Sequence, residues 1–438
     1  DEPLGDQQVQ IRVDGTVVFV RGAVPGDRVQ ARVRRAPKNR LEADLEQVLE
    51  PSADRVEPVC PHQPECGGCP LMVLSPEAAL KTKAEHLAQT LRRLGGVAHG
   101  VDRTVPSPDA LEYRNRVAFA VVRDGRRQKL AFRARGEPSR KVPIDRCHLV
   151  PEGVTRGAQG LVDRLGAAAA GSKGRRATLQ RVEMRGSRAG SEWLAVVHTG
   201  EGPWPGFRRA ANRWVTGARE RAGVVRLETA RNGRVLRERT VAGRSAVTER
   251  LGGLEVELSA SSFLQVNPPV AERLYGVVSE MLSGDGRALP ARVLDLYCGA
   301  GLVGALSVPD AAELVGVERH APSLRRARRV AGERAGWEWI QGDAAEVAQE
   351  LAGAGRRFDA VVVNPPRAGA DPRLPGILAE LDPERVVVVS CHPAALARDL
   401  SRLEGHGFRV AEVVALDMFP QTPHLEAAVR LERAGETA

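Results

Sequence analysis

Apolar and polar positions follow two different rhythms along this chain, and the change between them divides it. Over residues 1 to about 52 they alternate (VVFV, RVQARV, LEADLEQVLE), with breaks at Asp14-Gly15 and Pro25-Gly26-Asp27. A period of two punctuated by turn residues predicts a small β-barrel. From about 256 onward, short apolar runs (RVLDLYC, ELVGVE, WEWIQ, DAVVVN, RVVVVS) alternate with segments of helical spacing, which predicts a doubly wound parallel sheet. The last two runs, FRVAEVVAL and EAAVRLE, have no helix between them and predict an antiparallel hairpin. Between these regions lie a Pro/Gly/Cys segment at 58–75, a helical stretch from Pro76 to Leu94, and strand-like pieces such as RVAFAVV, KLAFRA and WLAVVH. The expected class is α/β, in three parts: a barrel over 1–52, a central α+β domain over 53–255 with a cysteine-bearing insert, and the doubly wound domain over 256–438.

Charge adds a partner to this picture. Sixty-four basic against fifty-five acidic side chains give +9, which favours a polyanion, nucleic acid first. Lys38, Lys81, Lys83, Lys129, Lys141 and Lys173 are the only lysines, so arginine, which forks onto phosphate and stacks on bases, carries the excess. No apolar run reaches the roughly 18 residues of a membrane helix, and the opening DEPLGDQQVQ does not read as a secretory leader. A cytoplasmic, non-membrane, monomeric protein is expected. Its six cysteines are then thiols with individual roles rather than a disulfide framework.

The first strand of the doubly wound region runs into Cys298-Gly299-Ala300-Gly301, where glycines let the backbone approach a ligand at the carboxyl edge of the sheet. The second strand ends at Glu318, nineteen residues after Gly299, where a carboxylate can accept ribose hydroxyls. Asp343 follows the third strand, placed to face an adenine, and Asn364-Pro365-Pro366-Arg367 follows the fourth. This spacing alone leaves NAD and S-adenosylmethionine both open. The DLYCGAG turn and the reversed final hairpin resemble the class I S-adenosylmethionine-dependent methyltransferases.

The fifth strand ends in Ser390-Cys391-His392-Pro393. Pro393 suits the first turn of a helix, and a helix N-terminus beside the thiol is expected to lower its pKa. If the last strand runs antiparallel beside the fifth, Glu426 shares a pocket with Cys391 although 35 positions separate them. A thiol that adds to a ring carbon and a carboxylate that takes a proton from the next carbon form a workable pair. Cys60, Cys66 and Cys69 (C-x5-C-x2-C), with the distant Cys147, can bind zinc or an iron–sulfur cluster, and spacing alone favours zinc.

SFLQVN (262–267), DLYCGAG, NPPRAG, SCHPAALARDL and DMFPQTPHLE together resemble the RNA uracil-5-methyltransferase family over nearly the whole chain. The resemblance implies Cys391 as nucleophile and Glu426 as base, with cofactor contacts from Gln265, Tyr297, Gly299, Glu318, Asp343 and Asn364. It implies a TRAM-type N-terminal barrel, and a [4Fe-4S] cluster, mainly structural, on Cys60, Cys66, Cys69 and Cys147. The implied reaction is 5-methyluridine formation in RNA, with 23S rRNA favoured over tRNA. Asn364 stands where many members have Asp, and Leu302 where a polar residue is common. Phe263 and Phe419 are candidates for stacking on a flipped base, with core packing the first expectation for either.

Three other readings are separable. An RNA cytosine-5-methyltransferase would carry a cysteine in the fourth-strand motif, and NPPRAG has none; an amino-group methyltransferase would have an aromatic residue where Arg367 stands. A non-catalytic iron–sulfur RNA-binding protein would have no use for Cys391 and Glu426 together.

Overall fold

The computed structural model describes residues 8–434 apart from 14–15, 39, 126, 171–176, 189–190, 231, 285–288 and 333. Strands β1 (Gln8–Val13), β2 (Thr16–Arg21), β3 (Arg28–Arg35) and β4 (Leu41–Glu50) form one sheet in the order β1-β2-β4-β3. Its core is small, with Val18, Val20, Ala23 and Ala43 buried. Among the described residues β1 and β3 do not pair, so closure into the expected barrel is not seen there. β3 explains this in part: its positions are exposed or half-exposed throughout, Val33 included, and supply little apolar surface for closure.

Helix α1 (Pro76–Thr90) starts where the Ser75 hydroxyl accepts the Ala78 N–H at 3.2 Å and Pro76 fills the first turn. A three-residue strand, β5 (Arg103–Val105), follows. Then come β6 (Arg116–Asp124), β7 (Arg127–Ala134), β8 (Glu137–Pro143), α2 (Glu152–Ala170), β9 (Leu179–Ser187), β10 (Glu192–Thr199), α3 (Phe207–Val215), β11 (Arg221–Thr229) and β12 (Val235–Gly243). β6 to β12 make a seven-stranded sheet, order β12-β11-β10-β9-β6-β7-β8. Residues of α2 and α3, including Leu161, Leu165 and Trp214, bury one face of it together with Phe119 and Val182.

The hairpin of β13 (Ala246–Leu251) and β14 (Leu254–Ser259) leads to α4 (Pro268–Ser283). The sheet that follows is built from β15 (Arg292–Leu296), α5 (Leu302–Ser307), β16 (Glu313–Glu318), α6 (Ala321–Ala331), β17 (Trp337–Gln341), α7 (Ala344–Gly353) and β18 (Ala360–Val363). It continues through α8 (Leu374–Leu381), β19 (Arg385–Ser390), α9 (Pro393–Glu404), β20 (Phe408–Leu416) and β21 (Glu426–Arg433). The order is β17-β16-β15-β18-β19-β21-β20-β5. Pairs from β17 to β19 are parallel, and β21 enters antiparallel to β19 and β20. β18 and β19 are buried at every position, as strands covered on both faces must be.

One boundary differs from the expected division. β5 pairs parallel with β20, and Ala84 and Leu87 of α1 lie in the same core as Leu396 and Leu400 of α9. Residues 76–105 therefore pack on the C-terminal sheet, not the central one. Among the described residues, no helix is long and apolar enough to cross a membrane.

Candidate active site

Strand order reverses at β15, and open α/β sheets bind ligands outside the carboxyl ends of their strands at such a point. Five of the candidate residues, Tyr297, Gly299, Glu318, Asp343 and Asn364, are in this region. Tyr297, just past β15, has φ +61, and its hydroxyl accepts the Asp371 N–H at 3.2 Å. Gly299 (φ +56) donates its N–H to Glu318 at 3.1 Å, and the same carboxylate accepts the His320 N–H at 2.6 Å. A Cβ at Gly299 would meet nothing within 4 Å, so the turn opens onto free space. Asn364 follows β18 and its N–H bonds to the Leu296 carbonyl at 3.3 Å. Asp343 caps α7, accepting the N–H groups of Ala345 (3.0 Å) and Glu346 (3.4 Å). Gln265 is buried, its carbonyl bonded by the Asn115 amide at 3.0 Å. Arg185 steadies the same segment by donating to the carbonyls of Ser259 and Ser262.

Asp295, the first residue of DLYCGAG, is fully buried, and burial pushes its carboxyl up to about 7. Sequence reasoning passed over it, although the acid opening the motif was visible. Cys298 is buried as well, which raises its thiol pKa far above the ordinary value and suits it poorly to be a nucleophile.

The candidate thiol and carboxylate come together as the antiparallel arrangement requires. Ser390 is opposite Ala427, so the next step of the ladder sets Cys391 across from Glu426. Cys391 is half-buried, immediately before the His392 cap of α9, where the imidazole Nδ1 accepts the Ala395 N–H at 3.1 Å. Glu426 is 2% exposed, and its Oε2 has no hydrogen-bond partner among the described residues. Burial pushes its carboxyl up to about 8.

The expected lowering of the Cys391 pKa is not found. Burial raises it, the neighbouring Glu426 adds to the rise, and Arg367 opposes both without cancelling them. In this pocket desolvation is the largest influence on the thiol. Arg367 is thus a functional candidate that sequence reasoning used only to exclude another enzyme class. His424 is pushed down to about 4 by burial, with Arg367, Arg114 and Lys83 nearby.

Residues 350–434 match the tRNA (Uracil-5-)-methyltransferase family. An RNA methyltransferase of Geobacter sulfurreducens is 34% identical, the alignment covering 94% of this chain and 85% of the relative. One of Gloeobacter violaceus is 32% identical, covering 96% and 92%. The chain belongs to the RNA uracil-5-methyltransferase family. In architecture this methyltransferase is similar to the Pyrococcus abyssi tRNA (uracil-54, C5)-methyltransferase solved with S-adenosyl-L-homocysteine. That comparison has a TM-score of 0.73 and 27% identity over 97% of this chain and 100% of the other.

The methyltransferase clamps the loop between β20 and β21 from several sides. Lys83 of α1, 334 positions from its partner, donates to Asp417 at 2.7 Å and to the Phe419 carbonyl at 3.0 Å, with both charges buried. The Tyr113 hydroxyl donates to the Pro420 carbonyl at 3.0 Å, the Leu71 N–H to the Gln421 carbonyl at 3.1 Å, and Asp417 N–H to the Val105 carbonyl at 2.9 Å. Phe419 is half-buried, edge-on to His424 with ring centroids 6.1 Å apart. Phe263 is 66% exposed, against the core role first expected of it.

Cys60, Cys66, Cys69 and Cys147 line one cavity of about 360 Å³ with Arg114 at its wall. Burial and the other thiols raise Cys69 strongly, and burial pushes Cys147 up to about 11. Among the described residues, no group of three or more His, Cys, Asp or Glu side chains is arranged to hold a metal ion.

Proposed function

We propose that this enzyme methylates C5 of a uracil in RNA through a covalent adduct between Cys391 and uracil C6, with Glu426 removing the C5 proton. The observation that supports this reading best is the pairing of β19 with β21, which sets the thiol and the carboxylate opposite each other at the edge where the cofactor candidates gather. S-adenosylmethionine, when bound, supplies an electrophilic methyl group on a positively charged sulfur. Glu318 and Gly299 would hold its ribose and backbone side, with Tyr297, Asp343, Asn364 and Gln265 around them; the open space above Gly299 suits such an occupant.

Both reacting side chains favour their protonated forms in the free protein. The positive charge of the cofactor would lower both pKa values at the sheet edge, so that Cys391 and Glu426 would release their protons to solvent before the addition. The thiolate adds to C6, and C5 of the resulting enolate takes the methyl group. Loss of the methyl group would remove that positive charge. Glu426 then regains its high proton affinity at the moment the C5 proton must leave and the thiolate be expelled. Phe263, exposed beside Gln265, is placed to stack on a flipped base.

The four cysteines line one cavity, and four thiolates can hold either zinc or a cluster; the family resemblance of their segments favours the cluster. Methyl transfer requires no electron, so a [4Fe-4S] group there would be structural. The N-terminal sheet is proposed as a TRAM-type RNA contact. The P. abyssi enzyme shows that this architecture also serves a tRNA methyltransferase, which removes the architectural preference for 23S rRNA. Mapping 5-methyluridine in rRNA and tRNA with and without the gene decides the acceptor. For the chemistry, Cys391→Ala should form no covalent RNA complex, while Glu426→Gln should trap a methylated one. An adduct mapping to Cys298 would refute these roles.

A further inference from the structure

A second cavity, of about 640 Å³, is set into the central domain and shares no wall with Cys391 or Glu426. Trp193, Trp214 and Met184 give it an apolar lining, and Arg188, Arg221, Asp109 and Glu112 give it charge. The Arg188 Nη2 donates to Asp109 at 3.0 Å, but its Nη1 is shielded from solvent without a hydrogen-bond partner among the described residues, as is the Arg221 Nε. The Arg221 guanidinium lies over the Trp214 ring, 5.1 Å from its centroid, making a planar shelf with an aromatic backing.

Two further observations indicate that the space is kept open. Gly153 and Gly157, one turn apart on α2, both line it, and a Cβ on either would meet nothing within 4 Å. Glycine within a helix costs about 1 kcal/mol relative to alanine, and no close contact here demands it. Of the five non-glycine residues with positive φ among those described, Glu112 and Ser191 line this cavity, while Tyr297 and Gln421 border the active site. Such backbone conformations gather at ligand sites. The segment 107–113 also joins the two places: Asp109, Leu111 and Glu112 wall the cavity, while Tyr113 and Ala110 bond to Pro420 and Gln421 of the catalytic loop, at 3.0 and 3.4 Å.

We propose that this cavity receives an unstacked guanine of the substrate RNA, a nucleotide near the target uridine, and thereby selects the sequence to be methylated. Unstacked RNA bases are typically read by stacking on aromatic or guanidinium planes and by hydrogen bonds to their edges. Guanine suits this set best: Arg188 can donate to its O6 and N7, and carboxylates such as Asp109 and Glu112 can accept from its N1–H and N2 amino group. The proposal rests on RNA being the substrate of Cys391.

The test uses short single-stranded RNAs with one uridine and guanosine, inosine or adenosine at each flanking position. Wild-type enzyme should prefer guanosine at one position by about tenfold in kcat/KM, with inosine intermediate. Gly157→Leu, which fills the cavity, should erase the preference with S-adenosylmethionine affinity unchanged, whereas Gly157→Ala should keep it. Arg188→Gln should weaken discrimination in the same direction and serves as the test should the leucine variant not fold. A preference that survives both Gly157→Leu and Arg188→Gln, or methylation with no flanking preference, would overturn the proposal while leaving the catalytic reading intact. So would binding of free GMP that Gly157→Leu abolishes without any effect on RNA selectivity. No methylation of any uridine would instead refute the catalytic reading.

Discussion

The cofactor edge and the reaction centre lie on one sheet edge but are built differently. Glu318 and Asp343 are bonded by backbone N–H groups, so the edge is satisfied before any ligand arrives. Glu426 is buried, with one oxygen unpartnered among the described residues and a carboxyl pushed up to about 8, next to a thiol that is also hard to ionise. The carboxylates of the candidate binding edge are satisfied in the free protein, and the candidate thiol and carboxyl are not. On the proposed reading, their reactivity waits for a positive charge.

The strongest way to break this contrast is to remove its reactive member. Glu426→Gln should lower turnover by about 10²- to 10⁴-fold, the usual worth of a general base, while covalent methylated RNA accumulates on denaturing gels. Normal turnover would mean that another group takes the proton. Next in size is the clamp. Lys83→Met leaves Asp417 buried and unpaired, which should cost about 3–5 kcal/mol, seen as a lowered unfolding midpoint in denaturant. Pairing it with Asp417→Leu should restore much of the loss, and failure to do so would deny that the pair itself is responsible.

Glu426 also leaves a signature in stability. Its folded-state pKa is raised from 4.5 to about 8, so the folded protein holds this proton more tightly than the unfolded chain does. Stability from this source is complete below about pH 4.5 and lost as pH rises toward about 8, so the melting temperature of Glu426→Gln should gain on wild type across that window. A constant difference would show that Glu426 is already ionised. A smaller effect should appear at the thiol. Alkylation of Cys391 by iodoacetamide at pH 7.5 should be slower than that of free cysteine, faster with the cationic analogue sinefungin than with S-adenosylhomocysteine, and a few-fold slower in Arg367→Ala.

Alternation of strands with helices beyond 256 made the parallel sheet legible, and the missing helix before EAAVRLE revealed the reversed strand. From that one deduction came the meeting of Cys391 with Glu426. What could not be read was set by contacts between distant parts of the chain. β5 is three residues long, too short to show a period, and takes its structure from β20. The link from Lys83 to Asp417 spans 334 positions, and neither residue is unusual in its local sequence. The Cys391 pKa went wrong because a helix start can be read from Pro393, whereas the desolvation opposing it depends on what packs around the thiol.

The placement of α1 and β5 has a consequence for the order in which the protein matures on the ribosome. They belong to the C-terminal core but are made before the whole central sheet, so β6 to β12 form an insertion within a discontinuous catalytic unit. Domains tend to fold as units while the chain is synthesised. The central sheet can therefore be complete while Leu87 and Leu91 still wait for partners such as Leu396 and Val413 that have yet to emerge. A fragment beginning at residue 256 would bare the apolar surface that those leucines cover, and the early half of the chain would bare the leucines themselves. The catalytic half of this protein is therefore not a severable module, and its synthesis has an exposed interval that ends only when β20 and β21 arrive.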